Sequence, residues 1–299
     1  MPRPFLSPRN DLVFKLLFGD ARNTGPLTDF LKAALDLPPE DFLDIVLVDP
    51  HLSGESVDDK RGVLDVKLKT ATGKIVDIEI QVAERPQMRE RIVFYLSRMI
   101  TEQISRGEDY RKIERSICIL ITDYTQIPEN GCYHNRYRLH DPKTGSEFTD
   151  LVEVNVLELP KLPHNTDGTP LWDWLKFLAV REEKELKMLA EKNPQIGKAV
   201  ARLQELSEDE RTRLLAESRE KWEWDMQAIR EKGLKDGFEE GRKEGRETGR
   251  KEGREKGLEE GLEKGLLSVA RAALKKNMPI EEIMALTGLS REKILSLPH

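Results

Sequence analysis

Asp65 and the triplet Glu79-Ile80-Gln81, fourteen residues further on, are the residues whose types and spacing suggest chemistry. They lie in a stretch, 64–82, that reads LDVKLKTATGKIVDIEIQV. Leu64, Val66 and Leu68 alternate with Asp65, Lys67 and Lys69; Ile78, Ile80 and Val82 alternate with Asp77, Glu79 and Gln81. Period-two alternation predicts two strands, each with one buried face and the acids on the other. Two carboxylates brought close repel unless a cation lies between them. An oxygen-only donor set suits Mg²⁺, which keeps several waters and takes phosphate ligands. The chemistry suggested is metal-assisted attack on a phosphodiester.

The loop fixes the register. Ala71-Thr72-Gly73 reads as a three-residue hairpin closure with glycine in the left-handed position. It pairs Thr70 with Lys74 and sets Asp65 opposite Glu79, with directly opposed Cβ atoms roughly 5 Å apart. A two-residue loop would set Asp65 opposite Ile80 and mix the faces, so the side-chain pattern selects the odd loop. The pattern alone also describes a solvated strand face that carries acids.

Dispersed motifs carry a resemblance. Asn10-Asp11 with Phe14-Lys15 and Phe18-Gly19-Asp20 opens the chain; Gly62-Val-Leu-Asp65, Gly73-Lys-Ile-Val-Asp-Ile78-Glu79-Ile80-Gln81, Arg91 to Arg98, Gly107-Glu-Asp-Tyr110 and Glu153 to Leu162 follow in order. In order and spacing these pieces resemble the Rpn family of recombination-promoting nucleases and transposases, a branch of the PD-(D/E)XK nuclease superfamily. The resemblance implies a restriction-endonuclease-like α/β fold and a Mg²⁺-dependent DNA endonuclease, with Mn²⁺ or Ca²⁺ as alternative ions and a link to recombination or mobile elements. Asp65 and Glu79 would hold the metal, with the Ile80 carbonyl as a third ligand. Gln81 would position the water or the scissile phosphate, and Asp11 is a weaker candidate for a metal or water contact. Lys67, Arg91, Tyr95 and Arg98 are candidate DNA contacts. The wider superfamily has lysine where this chain has Gln81; a neutral amide orients a ligand but neither stabilises charge as a cation nor transfers a proton. That departure keeps a second reading open, a weak or inactive nuclease fold serving as an oligomeric DNA-binding or adaptor protein.

The elements that must position these residues are legible from pattern. Residues 11–18 predict a helix capped by Asn10, with Phe14, Leu17 and Phe18 as its apolar stripe. A second helix is expected at 26–35 and a short strand at 45–48. Residues 86–105 predict a helix with Val93, Leu96, Ile100 and Ile104 on its core face and Arg91, Tyr95, Arg98 and Glu102 on the other, a face suited to phosphates or to solvent. The apolar run 117–122 predicts a strand buried on both faces, and a β-ribbon turns around Asp141-Pro-Lys-Thr-Gly145. The expected architecture is an α/β mixed sheet flanked by helices, followed by an all-α extension with a glycine-repeat helix. The expected divisions are a nuclease domain at 1–163, a helical extension at 164–232, a repeat at 233–265 and a small helix-turn-helix-like module at 266–299.

In the extension, Leu171, Trp172, Leu175, Phe177 and Leu178 predict an apolar helix surface. Ser207-Glu-Asp-Glu210 reads as a capping box opening a further helix, with Trp222 and Trp224 near its end. Glycine then recurs every fourth residue from Gly233 to Gly265, nine in all. Each costs roughly 1 kcal/mol of helix stability against alanine, so close packing is the expected compensation. Small residues four apart let backbones approach. A period of four outruns 3.6, so the stripe advances about 40° per repeat and would wind two helices right-handed. A homo-oligomerising stalk and a charged helical linker both fit. Beyond it, Val269, Ala273 and Leu274 predict one helix, Pro279 to Leu286 a second, and Ser290 caps a third. Arg291 and Lys293 are the last helix's basic residues, which leaves DNA contact and partner packing both open.

Composition excludes other chemistries. Charged residues make up 35% of the chain, and its net charge is −6, so a DNA groove would have to be locally basic. The five histidines and two cysteines lack zinc or disulfide spacing, and no Gly-x-Ser-x-Gly elbow or P-loop occurs. No apolar leader and no run of membrane-spanning length is present, which points to a reducing cytoplasm.

Overall fold

A computed structural model describes residues 5–48, 66–85 and 87–297. Asp65, with the rest of 49–65, lies outside the described residues, and so does Pro86. The chain divides into two compact units, Met1–Asp225 and Met226–His299.

The first unit is built on a six-stranded mixed sheet. Its strands are β1 (Ile45–Val48), β2 (Val66–Thr70), β3 (Ile75–Gln81), β4 (Ser116–Thr122), β5 (His134–His140) and β6 (Glu147–Glu158), in the order β1-β2-β3-β4-β6-β5. β1, β2 and β3 run antiparallel in sequence, β3, β4 and β6 run parallel, and β5 pairs antiparallel with β6. The central β4 is buried along its whole length, as its unbroken apolar run predicts.

Helices cover both faces. On one side, α1 (Asp11–Phe18), α2 (Gly25–Ala34), α4 (Pro170–Ala179) and α6 (Pro194–Glu208) share a core with Val76, Ile78 and Ile80 of β3. Phe18, Phe30, Trp174 and Phe177 form its aromatic centre, with Trp174 edge-on to Phe177 at 5.8 Å between centroids. Asn10 caps α1 as expected, its side chain accepting from Leu12 and Val13 amides. On the other side, α3 (Met88–Thr101) covers β3, β4 and β6. A short helix, α5 (Glu183–Lys192), joins α4 to α6.

Two expectations are corrected here. The buried face of α3 is Met88, Ile92, Tyr95, Leu96 and Met99, while Val93 is 61% exposed. Tyr95, expected on the outer side, faces the sheet. Ser207 does not open a helix: it lies in the last turn of α6, where its hydroxyl donates to the Leu203 carbonyl at 2.6 Å and accepts from the Leu6 amide at 2.9 Å. The next helix, α7, runs from Glu210 to Lys275, so Trp222 and Trp224 lie well within it.

The second unit contains the rest of α7 with α8 (Ile280–Thr287) and α9 (Arg291–Leu295). Ala270, Ile283, Ile294 and Leu297 form its small core, with Ala273 and Leu274 packed against it and Val269, expected inside, left exposed. Gly288 takes the left-handed conformation (φ 67°) that ends α8, and Ser290 caps α9. Among the described residues no helix is long and apolar enough to cross a membrane.

Candidate active site

The hairpin turn is pinned from below. Thr70 donates its amide to the Lys74 carbonyl at 2.9 Å, and Gly73 takes φ 99°. Asp41, fully buried, accepts from Thr70 Oγ1 at 2.9 Å, from the Thr72 hydroxyl, and from Lys74 Nζ at 3.0 Å. The resulting register pairs Val66 with Ile78, Lys67 with Asp77 and Leu68 with Val76. This is the register that the three-residue loop predicts. The Asp65–Glu79 pairing expected from it lies outside the described residues.

The polar row of β3 is not a wet face. Asp77, Glu79 and Gln81 are 0%, 2% and 7% exposed, because α3 lies over them. β4 sets Cys118, Leu120 and Thr122 beside them in register. Gln81 Nε2 donates to Glu79 Oε2 at 3.2 Å. Cys118 Sγ lies 3.8 Å from Asp77 Oδ2, and burial, reinforced by the charges of Asp77 and Glu79, pushes its thiol up. Burial also raises the Tyr95 phenol; Arg91 opposes that rise while Glu79 and Asp77 add to it, so Tyr95 belongs to the same electrostatic cluster. Arg91 donates to Tyr95 Oη at 2.8 Å and sits over its ring.

The structure therefore brings together Glu79, Gln81, Tyr95 and Arg91, and adds Asp77, which the sequence reading left as a polar strand residue. Lys67 joins the row but points inward: it is 7% exposed and its Nζ lies 3.3 Å from Glu102 Oε2, a carboxylate that Arg98 also approaches at 3.5 Å. Asp11 forms an ion pair with Arg219 of α7. No sequence pattern links residues so far apart in the chain.

The backbone directions matter for Ile80. Ile75 donates its amide to Arg115 O and Asp123 donates to Gln81 O, so the odd residues of β3 turn their backbone groups toward β4. The even residues, Ile80 among them, turn theirs toward β2. The oxygen-bearing groups here are thus a carboxylate, an amide and a main-chain carbonyl. All are oxygen ligands, which fits a hard divalent cation. Among the described residues no three His, Cys, Asp or Glu side chains converge as a metal cluster.

Residues 8–233 match the family described as PD-(D/E)XK nuclease family transposase. The chain belongs to the PD-(D/E)XK nuclease family of transposases. The match takes in the whole sheet and the buried polar row, and it agrees with the Rpn-type resemblance carried by the dispersed motifs. No curated protein and no solved structure matches this PD-(D/E)XK chain. Its mixed sheet flanked by helices suits that family, in which DNA is the substrate a nuclease implies.

Proposed function

We propose that this chain is a divalent-metal-dependent DNA endonuclease, with Asp65, Glu79 and the Ile80 carbonyl as the metal ligands and Gln81 as a positioning residue. The observation that carries the reading is the pairing of Glu79 with Gln81 in a buried row that α3 covers. A carboxylate withdrawn from water is costly unless it is paired or holds a cation. A divalent ion, Mg²⁺ or Mn²⁺, would supply Lewis-acid stabilisation of charge on the phosphate and make water acidic enough to attack near neutral pH. The chain's own part is to orient: Glu79 is fixed by the sheet, and Gln81 offers an amide that can direct a water or a phosphate oxygen. In the cleavage, a water oxygen–phosphorus bond would form and a phosphorus–oxygen bond of the diester would break; the water gives up its proton to solvent and the departing oxygen takes one from solvent to leave as a hydroxyl.

The adaptor reading keeps one observation in its favour, that the neutral Gln81 amide is already engaged by Glu79. Self-association through 233–265 belongs to either reading. A Cβ built on any of the nine repeat glycines meets nothing within 4 Å, so the chain itself does not use the close approach that glycine permits.

The deciding assay incubates purified protein with supercoiled plasmid and Mg²⁺ or Mn²⁺, beside Asp65→Ala and Glu79→Ala. Metal-dependent nicking that both substitutions abolish is expected. Cleavage surviving both would sink the site assignment, and no cleavage with any metal would favour the adaptor.

A further inference from the structure

Arg91 Nε and the Tyr124 hydroxyl, near the ends of β3 and β4, are among this unit's buried donors that reach no acceptor. Both are shielded from solvent, and neither donates a hydrogen bond among the described residues. Leaving a buried donor unsatisfied costs about 1–3 kcal/mol, and such groups in a folded protein call for an explanation. Asp41, by contrast, has three side-chain donors, and Glu158 accepts from the Gln126 and Ile127 amides and from Lys161.

The fold brings the two donors to one corner. Gln81 is the register partner of Thr122, and the Asp123 amide donates to Gln81 O at 3.0 Å, so Tyr124 follows directly from the residues flanking Gln81. The Thr122 hydroxyl donates to the Tyr124 carbonyl at 2.8 Å and holds that turn. Above it, Arg89 ties the first turn of α3 to the Gln126 carbonyl at 2.9 Å. Arg91 lies in the same turn, with its guanidinium anchored to Tyr95 Oη. Burial, with the nearby charge of Glu84, pushes the Tyr124 phenol up to about 12, against Arg85 and Arg91; it stays a protonated donor at neutral pH. Both side chains keep part of their surface in solvent.

We propose that Arg91 and Tyr124 form a phosphate-oxygen site, in which the Nε–H and the phenol O–H hold a non-bridging oxygen of the DNA phosphodiester beside Glu79 and Gln81. The ligand chemistry follows from the donors: two N–H or O–H groups, one of them on a cation, select an anionic oxygen. The placement also gives the corner a positive charge, which Gln81 lacks. This assignment deepens the nuclease reading and rests on it for the identity of the diester.

The test is fluorescence anisotropy of a labelled duplex in EDTA, where no cleavage intervenes, on wild type, Arg91→Met, Tyr124→Phe and, as control, Tyr110→Phe, whose ring is 80% exposed. Tyr124→Phe removes one hydroxyl and keeps the ring, so it tests the site even if Arg91→Met fails to fold. A several-fold loss of affinity in Tyr124→Phe, absent in Tyr110→Phe, is expected. KM for Mg²⁺-dependent cleavage should rise in parallel, with kcat less affected. If wild type cleaves and both variants match it in affinity and KM, the anion site falls and the nuclease reading stands. If nothing cleaves but both variants bind duplex more weakly, the site stands and the nuclease reading falls. A melting temperature raised by inorganic phosphate in wild type and not in Tyr124→Phe, with duplex affinity unchanged, would reassign the site to free phosphate and overturn the DNA assignment.

Discussion

Gln81 Nε2 donates to Glu79 Oε2 across 3.2 Å, inside a row of polar side chains that α3 closes off from water. The amide fixes one oxygen of Glu79 without adding charge. A cation at position 81 would instead stabilise charge that develops on a phosphate. Gln81→Lys is therefore expected to raise single-turnover plasmid cleavage by roughly ten-fold while leaving the metal requirement intact, and Gln81→Ala to lower it by a similar factor. Equal rates for all three proteins would show that position 81 does not face the reaction.

Asp41 and the turn it holds make a separate prediction about stability. Its carboxylate is pushed up by burial, but the bonds from Thr72, Lys74 and Thr70 outweigh that and hold it below the usual carboxylate range. A carboxyl depressed in the folded state contributes stability that is present above its unfolded value, about 4, and is lost as pH falls through the folded value. Asp41→Asn should cost about 1–3 kcal/mol at pH 7. The gap to wild type should narrow below about pH 4. Urea denaturation at pH 7 and pH 3.5 checks both. A gap that stays constant with pH would mean the ion pair with Lys74 contributes little.

That turn also shows which parts of the fold the sequence discloses. Alternation and Gly73 were enough for the β2–β3 register, because a slip of one residue would have exchanged every face. The cover over the polar row was not legible, since an amphipathic strand reads the same whether water or a helix lies on its polar side. The α3 face slipped by one residue, Val93 for Ile92, because the segment supplies apolar residues at both positions and only packing chooses. Ser207 was misread because its partner, the Leu6 amide, is distant in the chain. Tyr124 had no sequence signal at all; its interest lies in a donor that only three-dimensional accounting finds unpaired.

The β5–β6 ribbon carries a buried charge cluster. Glu153, 1% exposed, takes Arg138 Nε at 2.6 Å and Asn155 Nδ2 at 2.7 Å, and pairs with Arg115. Burial alone would raise its carboxyl, but Asn155, Arg138 and Arg115 together hold it low. Removing the acid takes a partner from three arginines, Arg115, Arg136 and Arg138, of which Arg115 is nearly enclosed. Glu153→Gln should destabilise the first unit by about 3–5 kcal/mol, read as a lowered urea midpoint. Glu153→Gln melting with wild type would show that water satisfies those guanidinium groups.

The repeat gives the sharpest contrast between local and intermolecular energetics. Within one chain its glycines only weaken α7, since a methyl group at each would meet no neighbour. Replacing Gly241, Gly245, Gly249 and Gly253 with alanine should therefore raise helix stability by about 1 kcal/mol per site. If two copies pack through the stripe, the same methyl groups hold the backbones apart and the assembly weakens while helicity rises. Light scattering and circular dichroism on the full chain separate these effects. A drop in mass with a gain in helicity is expected. A monomeric wild type, or a quadruple variant of unchanged mass and higher melting temperature, would leave the glycines without an intermolecular role and favour the linker.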